Sequence, residues 1–229
     1  AHVLGLIAGG QFQDPLREGA DLMTGSSHKT FPGPRGGFLL SSSEDETFHR
    51  RLNNAMFPGV CSSYHLHHVA GKVMALAEFM EYGEAYATDI VSNARAFAGA
   101  LAAEGFDVLA ESRGYTASHQ VLTRHGELDS GAGAKAAQRL EEAGIITNMN
   151  MLPGDTKAMT PSGLRLGVQE LTRVGFSNDD MEEVASFYAR VLLHGEDPAA
   201  VRADVHALKQ QRQTIRYCFN EDERSGYPE

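Results

Sequence analysis

Residues 20–37 read ADLMTGSSHKTFPGPRGG and decide the interpretation of the whole chain. Strand-like apolar segments at residues 21–25 and 37–41 flank a polar, glycine-rich connection that contains Lys29. Small hydroxyl residues and backbone N–H groups at strand ends are typical of phosphate cradles, and a lysine beside them can form a Schiff base with an aldehyde cofactor. From these residues alone, a surface lysine beside a proline-rich loop remains the alternative.

The segments upstream extend a strand-and-connection pattern. Residues 3–8 form a continuous apolar run closed by two glycines, which predicts a buried parallel strand. Residues 14–19 predict a short helix with Asp14 as N-cap and Pro15 at its first position. Strands and connections repeating at this pitch predict an α/β fold with a mostly parallel sheet.

The segments downstream are richer in helix. Residues 45–56 predict a short helix and residues 64–104 a long one, with Gly83 marking a bend or a break. After Gly105 the pattern becomes mixed and predicts a small α+β domain, so we place the domains at residues 1–100 and 101–229. Its predicted strands are residues 106–110, 119–123, 145–148 and 164–168, and its predicted helices are 134–143, 177–193 (with Ser177 as N-cap) and 198–213.

The charge and composition of the chain argue against two classes of partner and favour one cellular compartment. The net charge of −10 argues against a nucleic-acid partner, which requires a basic surface. No window approaches the roughly 18 apolar residues of a membrane span, so no membrane partner is expected. Cys61 and Cys218, far apart in the sequence, favour a reducing, cytoplasmic location.

Several segments, in a fixed order, carry a family resemblance. Together with residues 20–37, the runs AHVLGLIA (1–8), MFPG (56–59), SGLRLG (162–167) and LTRVGF (171–176) resemble the serine hydroxymethyltransferase family of fold-type I pyridoxal phosphate (PLP) enzymes. The resemblance implies the C-terminal portion of a mostly parallel-sheet large domain, followed by a small α+β C-terminal domain. The family's aspartate partner of the pyridine nitrogen would precede Ala1, so we expect a piece of a larger protein whose N-terminal half is missing.

The resemblance also implies roles for individual residues. Lys29 would hold PLP as a Schiff base, His2 would lie near the cofactor ring, and His28 would help to order the site. The other cofactor contacts implied are Ser26, Ser27, Arg35, Ser62 and Ser63. Arg165 would hold the α-carboxylate of the amino-acid substrate by a bidentate fork, a task for which guanidinium is suited and ammonium is not. Asn150 falls on a position that helps to bind folate.

The implied reaction is aldol or retro-aldol chemistry at the Cα–Cβ bond of a β-hydroxy amino acid. The leading hypothesis is hydroxymethyl transfer between serine and glycine with tetrahydrofolate or a related pterin as carrier. Residues 60–64 (VCSSY) replace the family's glycine-rich run, and the loop after Asn150 is shorter, so a threonine aldolase or transaldolase independent of folate stays open. A non-catalytic scaffold fragment is the third hypothesis.

The resemblance further implies a homodimer or larger assembly whose active sites are shared between subunits. His65, His67 and His68 crowd the predicted start of the long helix. Because no cysteine or carboxylate accompanies them in the sequence, we predict no metal site and assign them a structural or interface role.

Overall fold

The computed structural model describes residues 2–220. The chain divides into two compact units, Ala1–Ala87 and Thr88–Glu229. The division falls inside the long helix α3 (Leu66–Ala103). A domain boundary near residue 100 therefore stays a prediction.

The first unit is built around a β-hairpin. It contains α1 (Leu4–Ala8), β1 (Met23–His28), β2 (Pro32–Leu40), α2 (Glu46–Asn54) and the first part of α3. Phe31, between the two strands, is buried beside Leu4 and Ala75, and its ring centroid lies 5.3 Å from that of Phe38 and 5.0 Å from that of Phe79. This small aromatic cluster holds the hairpin on α1 and α3.

The strand pairing in this unit corrects one expectation. β1 and β2 pair antiparallel, with Met23 opposite Leu40 and Gly25 opposite Phe38, so the expectation that these segments belong to parallel neighbours is wrong. The connection 29–31 is too short for the crossover that parallel strands need, and a tight turn of this length permits only a hairpin.

The apolar run 3–8 is the helix α1 and not the predicted strand. A short apolar run gives no periodicity that separates a buried strand from a buried helix. Leu4, Gly5 and Leu6 are all buried, and the chain turns at Gly9, whose N–H donates to the Gly5 carbonyl. Burial of three successive residues in one short helix therefore produced a strand-like pattern.

Two other local predictions have different outcomes. Residues 14–19 form turns and no helix, although the Asp14 carboxylate accepts the Arg17 N–H at 3.3 Å, because one isolated turn does not nucleate a helix. The helix predicted over 45–56 is confirmed as α2, and its N-cap Asp45 accepts the Thr47 N–H at 2.8 Å.

The long helix α3 is confirmed, and it continues through Gly83 without the predicted break. A Cβ at Gly83 would lie 2.5 Å from the Phe79 ring, and a Cβ at Gly9 would lie 2.6 Å from the Gly83 carbonyl oxygen. Glycine at position 83 therefore leaves room for the Phe79 ring, and glycine at position 9 lets the chain after α1 approach the backbone of α3.

The second unit is a four-stranded antiparallel sheet covered by helices. The strands β3 (Asp107–Val108), β4 (Gln120–Arg124), β5 (Asn148–Asn150) and β6 (Gly163–Gly167) lie in the order β3-β4-β6-β5. α4 (Ala132–Glu142) packs on β5 and β6 and contacts α6 (Met181–Leu192) and α7 (Pro198–Gln211). The short α5 (Gln169–Arg173) and 3-10 turns at Glu111–Arg113 and Asn178–Asp180 complete the unit. Its fully buried side chains include Leu140, Val121, Leu164, Val168, Met181 and Val191.

Every predicted strand and helix of this region exists, with shifted ends. The strand predicted over 106–110 stops at Val108, because Ala110 has a left-handed φ of 64°. The strand predicted over 145–148 starts only at Asn148, after the turn at Gly144. The helix predicted from Ser177 begins with the 3-10 turn, in which the Ser177 N–H donates to the Asp180 carboxylate at 2.8 Å. The polar and charged segment after Phe219 lies, from residue 221 onward, outside the described residues.

Within residues 2–220, no helix combines the length and the apolar character needed to cross a membrane.

Candidate functional site

Lys29 lies in the tight turn between β1 and β2. Its N–H donates to the Phe31 carbonyl at 3.1 Å, which fixes the backbone of the turn. The side chain is half-buried, and among the described residues its amine has neither a hydrogen-bond partner nor a carboxylate partner. A lysine held on a rigid turn without an internal counter-charge is available to a ligand.

Thr30 clamps this turn to α1. It is fully buried, and its hydroxyl donates to the His2 carbonyl at 2.5 Å and accepts the Gly5 N–H at 3.0 Å. A Cβ at Gly5 would lie 2.2 Å from the Thr30 carbonyl oxygen, so only glycine allows the backbones to approach this closely. The clamp therefore joins the predicted residues His2 and Lys29 through their backbones.

Ser26, Ser27 and His28 form the end of β1, where the register of the hairpin is irregular. Ser27 is fully buried, and its hydroxyl donates to the Pro34 carbonyl at 2.6 Å, so its observed contact is structural. The ring Nδ1 of His28 lies 3.2 Å from the carbonyl oxygen and 3.3 Å from the nitrogen of Gly36, which ties it to β2. Ser26 is half-buried. Their contacts with a cofactor stay predictions.

The exposed edge of β2 carries Arg35, whose guanidinium has no partner among the described residues. Lys72 of α3 reaches the same edge. Its ammonium donates to the Gly37 carbonyl at 3.4 Å and lies 5.6 Å from the centroid of the Phe38 ring. Sequence reasoning did not identify Lys72, because the two positions are 35 residues apart and no local pattern joins them.

Ser62 and Ser63 lie in the exposed segment that precedes α3. Among the described residues, neither serine forms a hydrogen bond with another predicted site residue of the first unit. The His67 ring centroid lies 4.4 Å from that of His68 and 5.4 Å from that of His65. Even so, the described residues contain no group of three side chains arranged to hold a metal ion.

Arg165 and Asn150 belong to the second unit and lie on neighbouring strands. Arg165 sits in the middle of β6, opposite Leu122 of β4 and Asn148 of β5, while Asn150 is opposite Gly163. The Arg165 side chain is half-buried, and no group among the described residues pairs with its guanidinium. An unpaired guanidinium on a rigid central strand suits a ligand carboxylate.

Two aspartates that sequence reasoning missed close the loop between these strands. The Asp155 carboxylate accepts the N–H groups of Leu152 and Ser162, near the two ends of residues 151–162, and that of Asp129. The Asp129 carboxylate accepts the Thr156 N–H. The Pro153-Gly154 pair was a signal for a turn, but nothing in the sequence connects Asp155 with Asp129.

The residues of the hairpin fit the aldehyde and the anionic end of PLP. The partner-free amine of Lys29 supplies the nucleophile that an aldehyde requires, and Arg35 is a cation without an internal counter-ion among the described residues. Ser26 adds a hydroxyl at the same end of β1. The donor set is therefore consistent with this cofactor.

Comparison with known proteins gives a family for this arrangement. The sequence profile of the family described as serine hydroxymethyltransferase matches residues 1–188. The protein named serine hydroxymethyltransferase from Pyrococcus abyssi is 58% identical over 224 residues, which cover 96% of this chain and 52% of that protein. The one from Methanocella arvoryzae is 51% identical over 224 residues, covering 97% of this chain and 52% of its own length.

A solved structure is also similar to this chain. The L-threonine transaldolase from Pseudomonas fluorescens, described in its internal aldimine state, matches with a TM-score of 0.86 and 32% sequence identity, over 96% of this chain and 50% of that chain. The α/β, fold-type I class predicted from the sequence is thereby confirmed. The chain spans about half the length of the curated relatives it matches.

Proposed function

Because this chain belongs to the serine hydroxymethyltransferase family, we propose that it carries Lys29 and Arg165 as part of the machinery for PLP-dependent hydroxymethyl transfer between serine and glycine. The observation that carries the proposal is the half-buried Lys29 amine, which has no partner among the described residues and is held on a clamped turn. Arg165, also without a partner among the described residues, supplies a further cation on the sheet of the other unit.

In this proposal the cofactor is PLP and the co-substrate is tetrahydrofolate or a related pterin. When bound, PLP supplies an electron sink for the negative charge that Cα acquires as the Cα–Cβ bond of serine breaks. The hydroxymethyl carbon passes to the pterin with loss of water, and Cα receives a proton to give glycine.

The residues of this chain bind and orient. The Lys29 amine would hold the cofactor through its aldehyde group. Arg165 fixes the α-carboxylate by two parallel N–H···O bonds, and this sets which bond at Cα is aligned for cleavage. Thr30 keeps the Lys29 turn against His2. Asn150, at the end of β5, would contact the pterin, a role that the family resemblance implies.

A threonine transaldolase is the second candidate, favoured by the similarity to the Pseudomonas fluorescens enzyme at a TM-score of 0.86. Identity of 58% to proteins named serine hydroxymethyltransferase favours the first. The decisive assay uses the complete protein with serine plus tetrahydrofolate, and separately with threonine plus an aldehyde acceptor. We expect folate-dependent glycine formation from serine; robust threonine turnover without folate dependence contradicts the first candidate.

We also propose a homodimer, supported by an apolar stripe on α3. Leu66, Val69, Val73, Leu76 and Met80 recur at spacings of three and four residues, which places them on one helical face, and all five side chains are exposed. Met80 is 89% exposed and Leu66 72%. Exposed apolar rows of this kind mark association surfaces.

We also propose a cytoplasmic location, which the free cysteines Cys61 and Cys218 support.

A further inference from the structure

The connection between β5 and β6, residues 151–162, joins the strand that carries Asn150 to the strand that carries Arg165. It is long for a link between antiparallel neighbours, and it contains no helix or strand of its own. A connection of this kind has no regular backbone pairing to fix its own path, so side-chain contacts have to fix it. Two carboxylates do so.

Asp155 joins the two ends of the connection through one oxygen. Its Oδ2 accepts the Leu152 N–H at 2.8 Å at the start, and the Ser162 N–H at 3.0 Å and hydroxyl at 2.8 Å at the end. Leu152 comes two residues after Asn150, and Ser162 comes three residues before Arg165. Asp155 therefore sets the separation of the segments that lead into both predicted substrate residues.

Asp129 joins the connection to the loop after β4. Its N–H donates to Asp155 Oδ1 at 2.7 Å. Its own carboxylate accepts the Thr156 N–H at 2.8 Å, the Thr156 hydroxyl at 2.7 Å and the Lys157 N–H at 2.8 Å. Asp129 has a left-handed φ of 58°, which aspartate tolerates better than most residues. Each aspartate thus depends on the other for its place.

The end of the connection is held from two further sides. The Thr160 and Pro161 carbonyls accept the N–H groups of Gly131 and Gly133 at the start of α4, at 3.1 and 3.0 Å. A Cβ at Gly133 would lie 2.3 Å from the Gly163 carbonyl oxygen, so α4 rests directly on the start of β6. The backbone entering β6 is consequently fixed before it reaches Arg165.

The hydrogen bonds to Asp155 and Asp129 require ionised carboxylates, and the pKa shifts of both groups favour ionisation. Desolvation opposes ionisation of Asp155, but the hydrogen bonds from Leu152, Ser162 and Asp129 outweigh it and hold its pKa well below its usual range. The Thr156 hydroxyl, followed by the Lys157 and Thr156 N–H groups, lowers the pKa of Asp129. Both groups therefore stay ionised throughout the neutral range.

We propose that Asp155, interlocked with Asp129, is a positioning residue that presents Arg165 and Asn150 to the amino-acid and pterin substrates. The inference rests on the proposed function, since it concerns the substrates of that reaction. In this positioning role Asp155 contacts neither substrate. Its effect is transmitted through the ends of β5 and β6.

The test uses the complete protein loaded with PLP, in the wild-type form and as Asp155→Asn, Asp129→Asn and the control Asp107→Asn. Asp107 is a carboxylate of the same sheet whose ion pair with Arg124, at 3.1 Å, is solvent-exposed. Three quantities are measured: glycine affinity by calorimetry, kcat and KM for serine, and hydrogen exchange at the Leu152 and Ser162 amides.

We expect Asp155→Asn to weaken glycine binding and to lower kcat/KM for serine by about 10- to 100-fold, because a small displacement of Arg165 misaligns the substrate. The Leu152 and Ser162 amides should exchange faster, while the absorbance of lysine-bound PLP and all properties of Asp107→Asn stay as in the wild type. If Asp155→Asn does not fold, Ser162→Ala, which removes only one hydroxyl bond, decides by the same readouts with a smaller effect.

Faster exchange with unchanged glycine affinity and unchanged kcat/KM would overturn the positioning role and leave the proposed function intact. A wild-type protein that neither binds glycine nor converts serine would overturn the proposed function, and the positioning role with it. A uniform loss in which PLP absorbance also disappears would show a general structural role and would equally overturn the inference.

Discussion

At the scale of single residues, the candidate site depends on how one buried hydroxyl is used. Thr30 satisfies the Gly5 N–H and the His2 carbonyl at once. Thr30→Val keeps the volume and removes both bonds, so we expect the free energy of unfolding to fall by about 1–3 kcal/mol. Denaturant titration of Thr30→Val beside Thr30→Ser, which keeps the hydroxyl, measures this loss; equal stability of the two variants would contradict the clamp.

Two glycines give opposite expectations for the same substitution. A Cβ at Gly5 would meet the Thr30 backbone at 2.2 Å, so Gly5→Ala should destabilise the protein by about 1–3 kcal/mol through overpacking. Apart from its chain neighbours and the backbone of its own helix, no atom lies within 4 Å of the Cβ position of Gly99 in α3, so Gly99→Ala should stabilise by about 0.5–1 kcal/mol. Thermal unfolding of both variants checks the signs, and the same sign for both would refute the packing argument.

At the scale of elements, the loop after β4 contains a histidine that titrates abnormally. Burial lowers the pKa of His125 to about 4, and the nearby Asp107 only partly opposes this. The unfolded chain takes up a proton near pH 6.5, so between these pH values it binds more protons than the folded protein. The stabilisation due to His125 is therefore complete above pH 6.5 and is lost as the pH falls toward 4.

This difference is measurable as the slope of stability against pH. Between pH 7 and 4, wild type should lose roughly 1–3 kcal/mol more than His125→Gln, which cannot titrate. Urea unfolding of both proteins at several pH values isolates the histidine, because the aspartates titrate in both. Parallel slopes would mean that His125 has the same pKa in the folded and the unfolded protein, which would contradict the effect of burial.

The helices and the site residues differ in whether they could be predicted from the sequence. α2, α3, α4, α6 and α7 could be predicted because composition and caps act locally. The helical state of residues 3–8 could not, because it depends on Thr30 and on the close approach at Gly5, which are far apart in sequence. Lys29 could be found from its neighbours and Arg165 from the family resemblance. Asp129 and Asp155 act across 26 residues and carried no signal.

At the scale of the whole molecule, association is the property to measure. The α3 stripe predicts that Val73→Glu and Met80→Glu weaken the proposed homodimer, because burying a new charge in an apolar contact is costly. Ala85→Glu, exposed on the same helix but off the stripe, is the matched control. Light scattering of the complete protein measures the mass; a dimer that survives both stripe variants would place the interface elsewhere.

We propose Lys29 as the residue that holds the cofactor, and the absorbance of the complete protein mixed with PLP reports this bond. Lys72 is the matched control, since it is a lysine of the same unit that lies at the edge of β2. We predict that the wild type and Lys72→Ala show the band of lysine-bound PLP near the visible edge, and that Lys29→Ala does not. Persistence of the band in Lys29→Ala, or its absence from the wild type, would show that Lys29 does not hold the cofactor.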